Sequence, residues 1–138
     1  MSAHSNTAAL GVGRALDPVV RRLLESSLGV DLSAVRVHTD VKAQQTLAAK
    51  GLEGAAIGRH VLLSENLTMG TERWLHVLAH EVAHTVQQAQ GVRAQHPVWE
   101  LEAELAAQRV LDGGSAEELC LTPPKPGLTG VFQGFNSW

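Results

Sequence analysis

The segment His80-Glu81-Val82-Ala83-His84 has the form H-E-x-x-H. Residues four apart share one face of an α-helix, so both imidazoles can reach a single metal ion. Glu81, next to the first histidine, can point at a water on that ion. Zinc lowers the pKa of such a water toward ~7, and the carboxylate accepts its proton as hydroxide attacks a carbonyl. The chemistry this spacing allows is peptide-bond hydrolysis with Zn2+ as cofactor. It requires a helix, and the surrounding residues supply one. From about Thr71 to Gln90, ahead of Gly91, the residues Leu75, Leu78, Ala79, Val82, Val86 and Ala89 form one apolar stripe. His80 and His84 fall roughly opposite it. Trp74 and Val77 flank them, which predicts a half-buried histidine face, like the wall of a cleft. The plain alternative is a surface helix with two chance histidines.

A catalytic zinc takes three protein ligands and keeps one position open. The longer motif with Gly three and His six residues after the second histidine fails, because Gln87 and Gln90 stand there. The next helix, from Pro97 to near Gly113-Gly114, offers carboxylates. On its wheel Trp99, Ala103, Ala106 and Val110 line one side, and Val98, Leu101 and Leu105 extend the apolar arc. Glu100, Glu104 and Gln108 share the polar face. Glu102 is the one carboxylate inside the arc, where it is costly unless paired or bound to metal. Glu102 is therefore the expected third ligand. A structural salt bridge, or pairing with Arg109, would also account for it. Glu104 takes its place if the helix register shifts.

Three stretches together resemble the eCIS core domain, a bacterial domain found beside extracellular contractile injection systems and in polymorphic toxins. VDLSAVRVHTD (30–40) resembles the family's FSxVRVHTD segment. HVLAHEVAHTVQQ (76–88) resembles its LLAHELTHVVQQ helix, and ELEAELAAQRVL (100–111) its ExEAD helix. The resemblance covers about residues 16–112. It implies a gluzincin-type zinc metallopeptidase. His80 and His84 then match the zinc histidines, Glu81 the catalytic Glu, and Glu102 the Glu before the family's AD pair. Glu104 stands where the family usually has Asp, which weakens a supporting role for that position. The resemblance also implies partners: a protein or peptide substrate, and an injection-system particle or toxin cargo.

Amide hydrolysis also needs a donor for the developing oxyanion. Tyrosine is excluded, since the chain has none. Candidates for transition-state or supporting roles are His38, His60, His76, His96 and Arg59. His38 ends the strand-like AVRVH, His60 sits in a hairpin, and His76 lies one turn before His80. His96 is placed to cap the last helix. For each, the plain alternative is a surface or core side chain. The metal can polarise the carbonyl itself, so a missing donor implies slow turnover. Slow turnover suits self-processing or cargo release.

Short elements must position these groups. Asp17-Pro18 starts a helix whose apolar residues Val19, Val20, Leu23, Leu24 and Leu28 lead to Gly29. Residues 34–38 alternate as a strand. Thr39 or Asp40 caps a helix that Gly51 stops. Residues 55–58 and 61–64 form a hairpin about Arg59-His60, an unfavoured turn pair. Its edge could accept an extended peptide through main-chain bonds, or its strands could simply cover the helix. The fold class is α+β: a minimal zincin-like domain at 17–114, mostly helical with a small sheet or hairpin. Residues 1–16 read as a flexible arm, and 115–138 as an irregular Pro/Gly-rich tail. The tail holds Phe132, Phe135 and Trp138 in a chain with only two Phe and three Trp. That points to docking on the domain or a partner, or to a linker stub.

The 138 residues suit one domain. A net charge of −3 argues against nucleic-acid binding, which needs a clustered basic surface. The 44% hydrophobic and 18% charged content excludes disorder. Cys120 stands alone, which excludes an intrachain disulfide and a Cys-rich zinc site. No apolar run reaches membrane-spanning length. The N-terminus lacks the regions of a Sec signal peptide, so the bacterial cytoplasm is the expected site at synthesis, with export left to an injection system. Two functions compete. One is a zinc metallopeptidase acting on its own flanking chain or on cargo. The other is a targeting or loading module for injection-system cargo, with slow or absent chemistry. The intact Glu81 favours the first, and the small size favours the second.

Overall fold

The structure is a computed structural model that describes residues 11–91, 97–113 and the strand 132–135. Each helix begins where a capping residue dictates. Asp17 accepts from the amides of Val19 at 3.0 Å and Val20 at 3.4 Å and opens α1 (Pro18–Leu28). Asp40 accepts from the Ala43 amide at 3.0 Å and opens α2 (Val41–Lys50). Thr71 accepts from the Trp74 amide at 3.2 Å and opens α3 (Glu72–Ala89). The last helix, α4 (Pro97–Leu111), starts on a proline, whose missing N–H is harmless at that position.

The strands β1 (Arg14–Ala15), β2 (Arg36–His38), β3 (Gly54–Ile57), β4 (His60–Leu63) and β5 (Phe132–Phe135) form one mixed sheet. Their order is β1-β2-β4-β3-β5. β2 runs parallel to β4, with Val37 opposite Val61, and the other pairs are antiparallel. The parallel pair exists because α2 carries the chain back between them. This is a small α+β fold, the class expected from the sequence. Among the described residues no helix is long and apolar enough to cross a membrane.

Three local expectations shift. The hairpin turns at Gly58-Arg59, one residue earlier than predicted, because Gly58 supplies the φ of +61° that its first turn position requires. His60 is therefore a strand residue. β1 and the buried Leu16 lie within the expected flexible arm, and Arg14 pairs with Val37. β5 lies within the expected irregular tail and pairs with β3. His96, Cys120, Trp138 and residues 1–10 lie outside the described residues.

The core forms between the sheet, α3 and the flanking helices. Val77, Leu78, Val82 and Val86 of α3 meet Val61 and Leu63 of β4, Leu24 and Leu28 of α1, and Val110 of α4. On the other face of the sheet, Ala43 and Leu47 of α2 pack on Ala55 and Leu62. From Val77 to Gln88 every residue of α3 is buried, the polar ones included. The expected half-buried cleft wall is thus an enclosed face. Its buried amides are satisfied in two directions. Gln88 accepts from the Gly58 amide at 2.7 Å and donates to the Ala56 carbonyl at 3.2 Å. Gln87 donates to the Trp99 carbonyl at 2.9 Å. The adjacent glutamines tie α3 to the hairpin and to α4, each bond contributing about 0.5–1.5 kcal/mol net.

Candidate metal centre

Polar groups buried on α3 need partners, and α4 supplies them. Ala103, Ala106 and Ala107 are buried and small, so α4 packs closely. Glu100 and Glu104, four residues apart, project from one face of it. His80 Nε2 stands 3.2 Å from Glu100 Oε1, and His84 Nε2 stands 2.9 Å from Glu100 Oε2. The other ring nitrogens are held from behind. His80 Nδ1 is 2.9 Å from Glu104 Oε1, and His84 Nδ1 is 2.8 Å from Gln87 Oε1. Each imidazole is therefore fixed at Nδ1 and presents Nε2 to Glu100.

His80, His84 and Glu100 form a group that could hold a metal ion, their donor atoms all lying within 4.8 Å of one another. Imidazole nitrogens with a carboxylate oxygen suit a divalent transition metal or zinc. Two observations fit a cation here. His84 Nε2 and Glu100 Oε2 face each other at 2.9 Å, yet both lack a hydrogen bond of proper geometry. Both carboxylate oxygens of Glu81 are also buried without a hydrogen-bond partner. Such orphaned groups are rare in a core and call for a missing partner.

Glu102, the expected third ligand, is not part of this group. The wheel placed Val98, Leu101 and Leu105 toward the core, but they are 47%, 56% and 42% exposed. The inward face of α4 is polar and small instead, because it meets the polar face of α3. A helix turns 100° per residue, so Glu102 points away from the face that carries Glu100 and Glu104. The sequence reading missed Glu100 and Gln87. The signal for Glu100 was present: His76, His80 and His84 recur every four residues, and Glu100 and Glu104 share that spacing. On antiparallel helices the two rows meet.

Glu104 bridges two histidines, with His76 Nε2 at 2.9 Å from its Oε2 and His80 on its Oε1. His38 and His60 are not brought to the centre. They are buried and bonded to each other, Nε2 to Nδ1, at 2.9 Å. Arg59 occupies the exposed hairpin turn.

The electrostatics follow from this packing. Burial disfavours charge on His80, but hydrogen bonds to Glu100 and Glu104 and the field of Glu81 outweigh it and raise its pKa to about 9. Burial likewise works against a charged Glu100, and the bond to His80 together with the His84 ring beside it overcomes it, holding the carboxyl at about 2. Glu104 is held at about 2 against its own burial by His80, His76 and Gln108. Glu81 has no such bonds, and burial pushes it well above the usual carboxylate range. β3 presses on it from the sheet: a Cβ on Gly54 would sit 2.8 Å from Val77 Cγ1 and 3.1 Å from Glu81 Cγ. Only glycine fits there.

The family model of the eCIS core domain matches residues 15–92. The chain belongs to the eCIS core domain family. Family membership points to an association with extracellular contractile injection systems and their particles. The matched span includes the histidines and Glu81 of this eCIS core domain. Glu100 and Glu104 lie beyond it, on α4. No curated protein and no solved structure matches the chain.

Proposed function

We propose that this eCIS core domain is a zinc-dependent metallopeptidase that acts on its own flanking chain or on cargo of an injection system. One observation carries the reading. His80, His84 and Glu100 converge with both Nδ1 atoms already held by oxygens, beside a Glu81 carboxyl that has no partner. A purely structural ion would not require Glu81. When bound, zinc supplies Lewis acidity toward a carbonyl and acidifies water. His80, His84 and Glu100 would hold it. Gln87 and Glu104 keep the imidazoles in the tautomer that offers Nε2. As the water oxygen adds to the peptide carbonyl carbon, Glu81 would take its proton and pass it to the nitrogen of the C–N bond that breaks.

A second reading is favoured by burial. His80, Glu81 and His84 are each 0% exposed, so a substrate has no direct approach to them. A loading module for injection-system cargo would need none. One pair of measurements separates the readings. Metal analysis of the protein should give about one zinc per chain, lost in His80→Ala. Wild type and Glu81→Gln are then compared on the full-length chain and on toxin and particle proteins. Cleavage by wild type alone, with zinc retained in both, supports the peptidase. Equal loading into particles with no cleavage by either sinks it and leaves the loading module.

A further inference from the structure

The two side chains that hold the imidazoles from behind are anchored in different ways. Gln87 is completely buried on the same helix as His84, and its own amide donates to the Trp99 carbonyl at 2.9 Å. Burial and that bond fix it. Glu104 comes from the facing helix, and its side chain is 21% exposed. A glutamate has several rotamers, and at such a site some of them turn the carboxylate to water. Its hold on His80 Nδ1 is only as firm as its own anchorage.

His76 supplies that anchorage. Its Nε2 lies 3.0 Å from Glu104 Oε1 and 2.9 Å from Oε2. A carboxylate only accepts, so His76 donates Nε2–H to it and His80 donates Nδ1–H to it at 2.9 Å. Gln108 Nε2 adds a bond to Oε2 at 3.1 Å. Gln108 is exposed and belongs to α4 itself, so it cannot set Glu104 relative to α3. His76 can, because it stands one turn before His80 on α3. The helix that carries the imidazole also carries the group that steers its support.

We infer that His76 is a positioning residue for the metal centre: it pins the Glu104 carboxylate against His80 Nδ1 and so keeps His80 Nε2 aimed at the ion. The inference rests on the reading of His80, His84 and Glu100 as metal ligands. His76 stands outside that group of three and acts through Glu104.

The test is zinc affinity of the full chain, read by competition with a chelator. His76→Leu fills the space and donates nothing. In His76→Gln the side-chain amide takes the place of the ring Nε2–H, so a donor is kept. His76→Leu should weaken zinc binding at least about fivefold, and His76→Gln should stay within about twofold of wild type. In a Glu104→Ala background His76→Leu should add less than about twofold, because the group it acts through is gone. With cobalt(II) in place of zinc, the visible bands should shift in His76→Leu and stay put in His76→Gln. A side chain that merely fills space would produce neither contrast.

Equal affinity in wild type and His76→Leu, equal losses in His76→Leu and His76→Gln, or an undiminished loss in the Glu104→Ala background overturns the inference. If His76→Leu does not fold, His76→Asn decides by the same criteria, since its amide matches the ring at Nδ1 and not at Nε2. Wild type that takes up no zinc overturns the metal reading and this inference together. Zinc uptake by wild type with no response at His76 overturns this inference alone. Cleavage is not read, so a protein that holds zinc and cuts nothing sinks only the peptidase.

Discussion

His84 Nδ1–H donates to Gln87 Oε1 at 2.8 Å, one turn along the same helix. That bond settles which nitrogen of His84 faces Glu100, and Glu104 does the same for His80 at 2.9 Å. Gln87→Leu and Glu104→Ala should therefore each weaken metal binding about 10–100-fold without removing a ligand. Competition with a chromophoric chelator measures it. Unchanged affinity in both would show that the imidazoles need no support from behind.

Glu100→Gln should reduce metal affinity beyond that range, because it removes a donor of the group. Glu102→Gln should leave it near wild type. Metal content after dialysis against a weak chelator distinguishes the two. The reverse pattern would restore Glu102 as the ligand.

Without a cation the cluster is an ion network, and its titration sets a pH window. The folded pKa of His80 is raised to about 9, so its contribution is complete below 6.5 and is lost as pH climbs through about 9. Glu100 and Glu104 are lowered to about 2, so theirs is complete above 4.5 and is lost as pH falls through about 2. Glu81 is raised, so its contribution is full below 4.5 and declines above. Chelator-treated protein should melt highest between 4.5 and 6.5 and lower toward both 9 and 2, as read by circular dichroism. A flat melting temperature across that range contradicts the network.

Gly54→Ala should destabilise the protein by about 1–3 kcal/mol, the usual cost of overpacking a filled core. The added Cβ has Val77 Cγ1 at 2.8 Å and Glu81 Cγ at 3.1 Å in its way. Urea unfolding gives the difference. A neutral substitution would mean that β3 can retreat from α3.

Local signals in the sequence read correctly because their physics is local. Asp17, Asp40 and Thr71 each cap the helix that follows within three residues. The histidine pair sits on the expected helix for the same reason. The face of α4 was legible only in part: Ala103, Ala106 and Val110 are buried as expected, but the same side also meets polar groups of α3, and Val98, Leu101 and Leu105 face solvent. Choosing Glu102 followed from assuming that apolar means inward. β5 escaped notice because FQGF is too short to show a period, and its partner Gly54–Ile57 is remote in sequence.

Every residue from Val77 to Gln88 is buried. The helix that carries the imidazoles is therefore a stiff beam, unable to slide or roll without dragging sheet and neighbouring helix along. Any room a reacting chain requires must come from its surroundings, through a swing of β5 or a tilt of α4, while the histidines stay where they are.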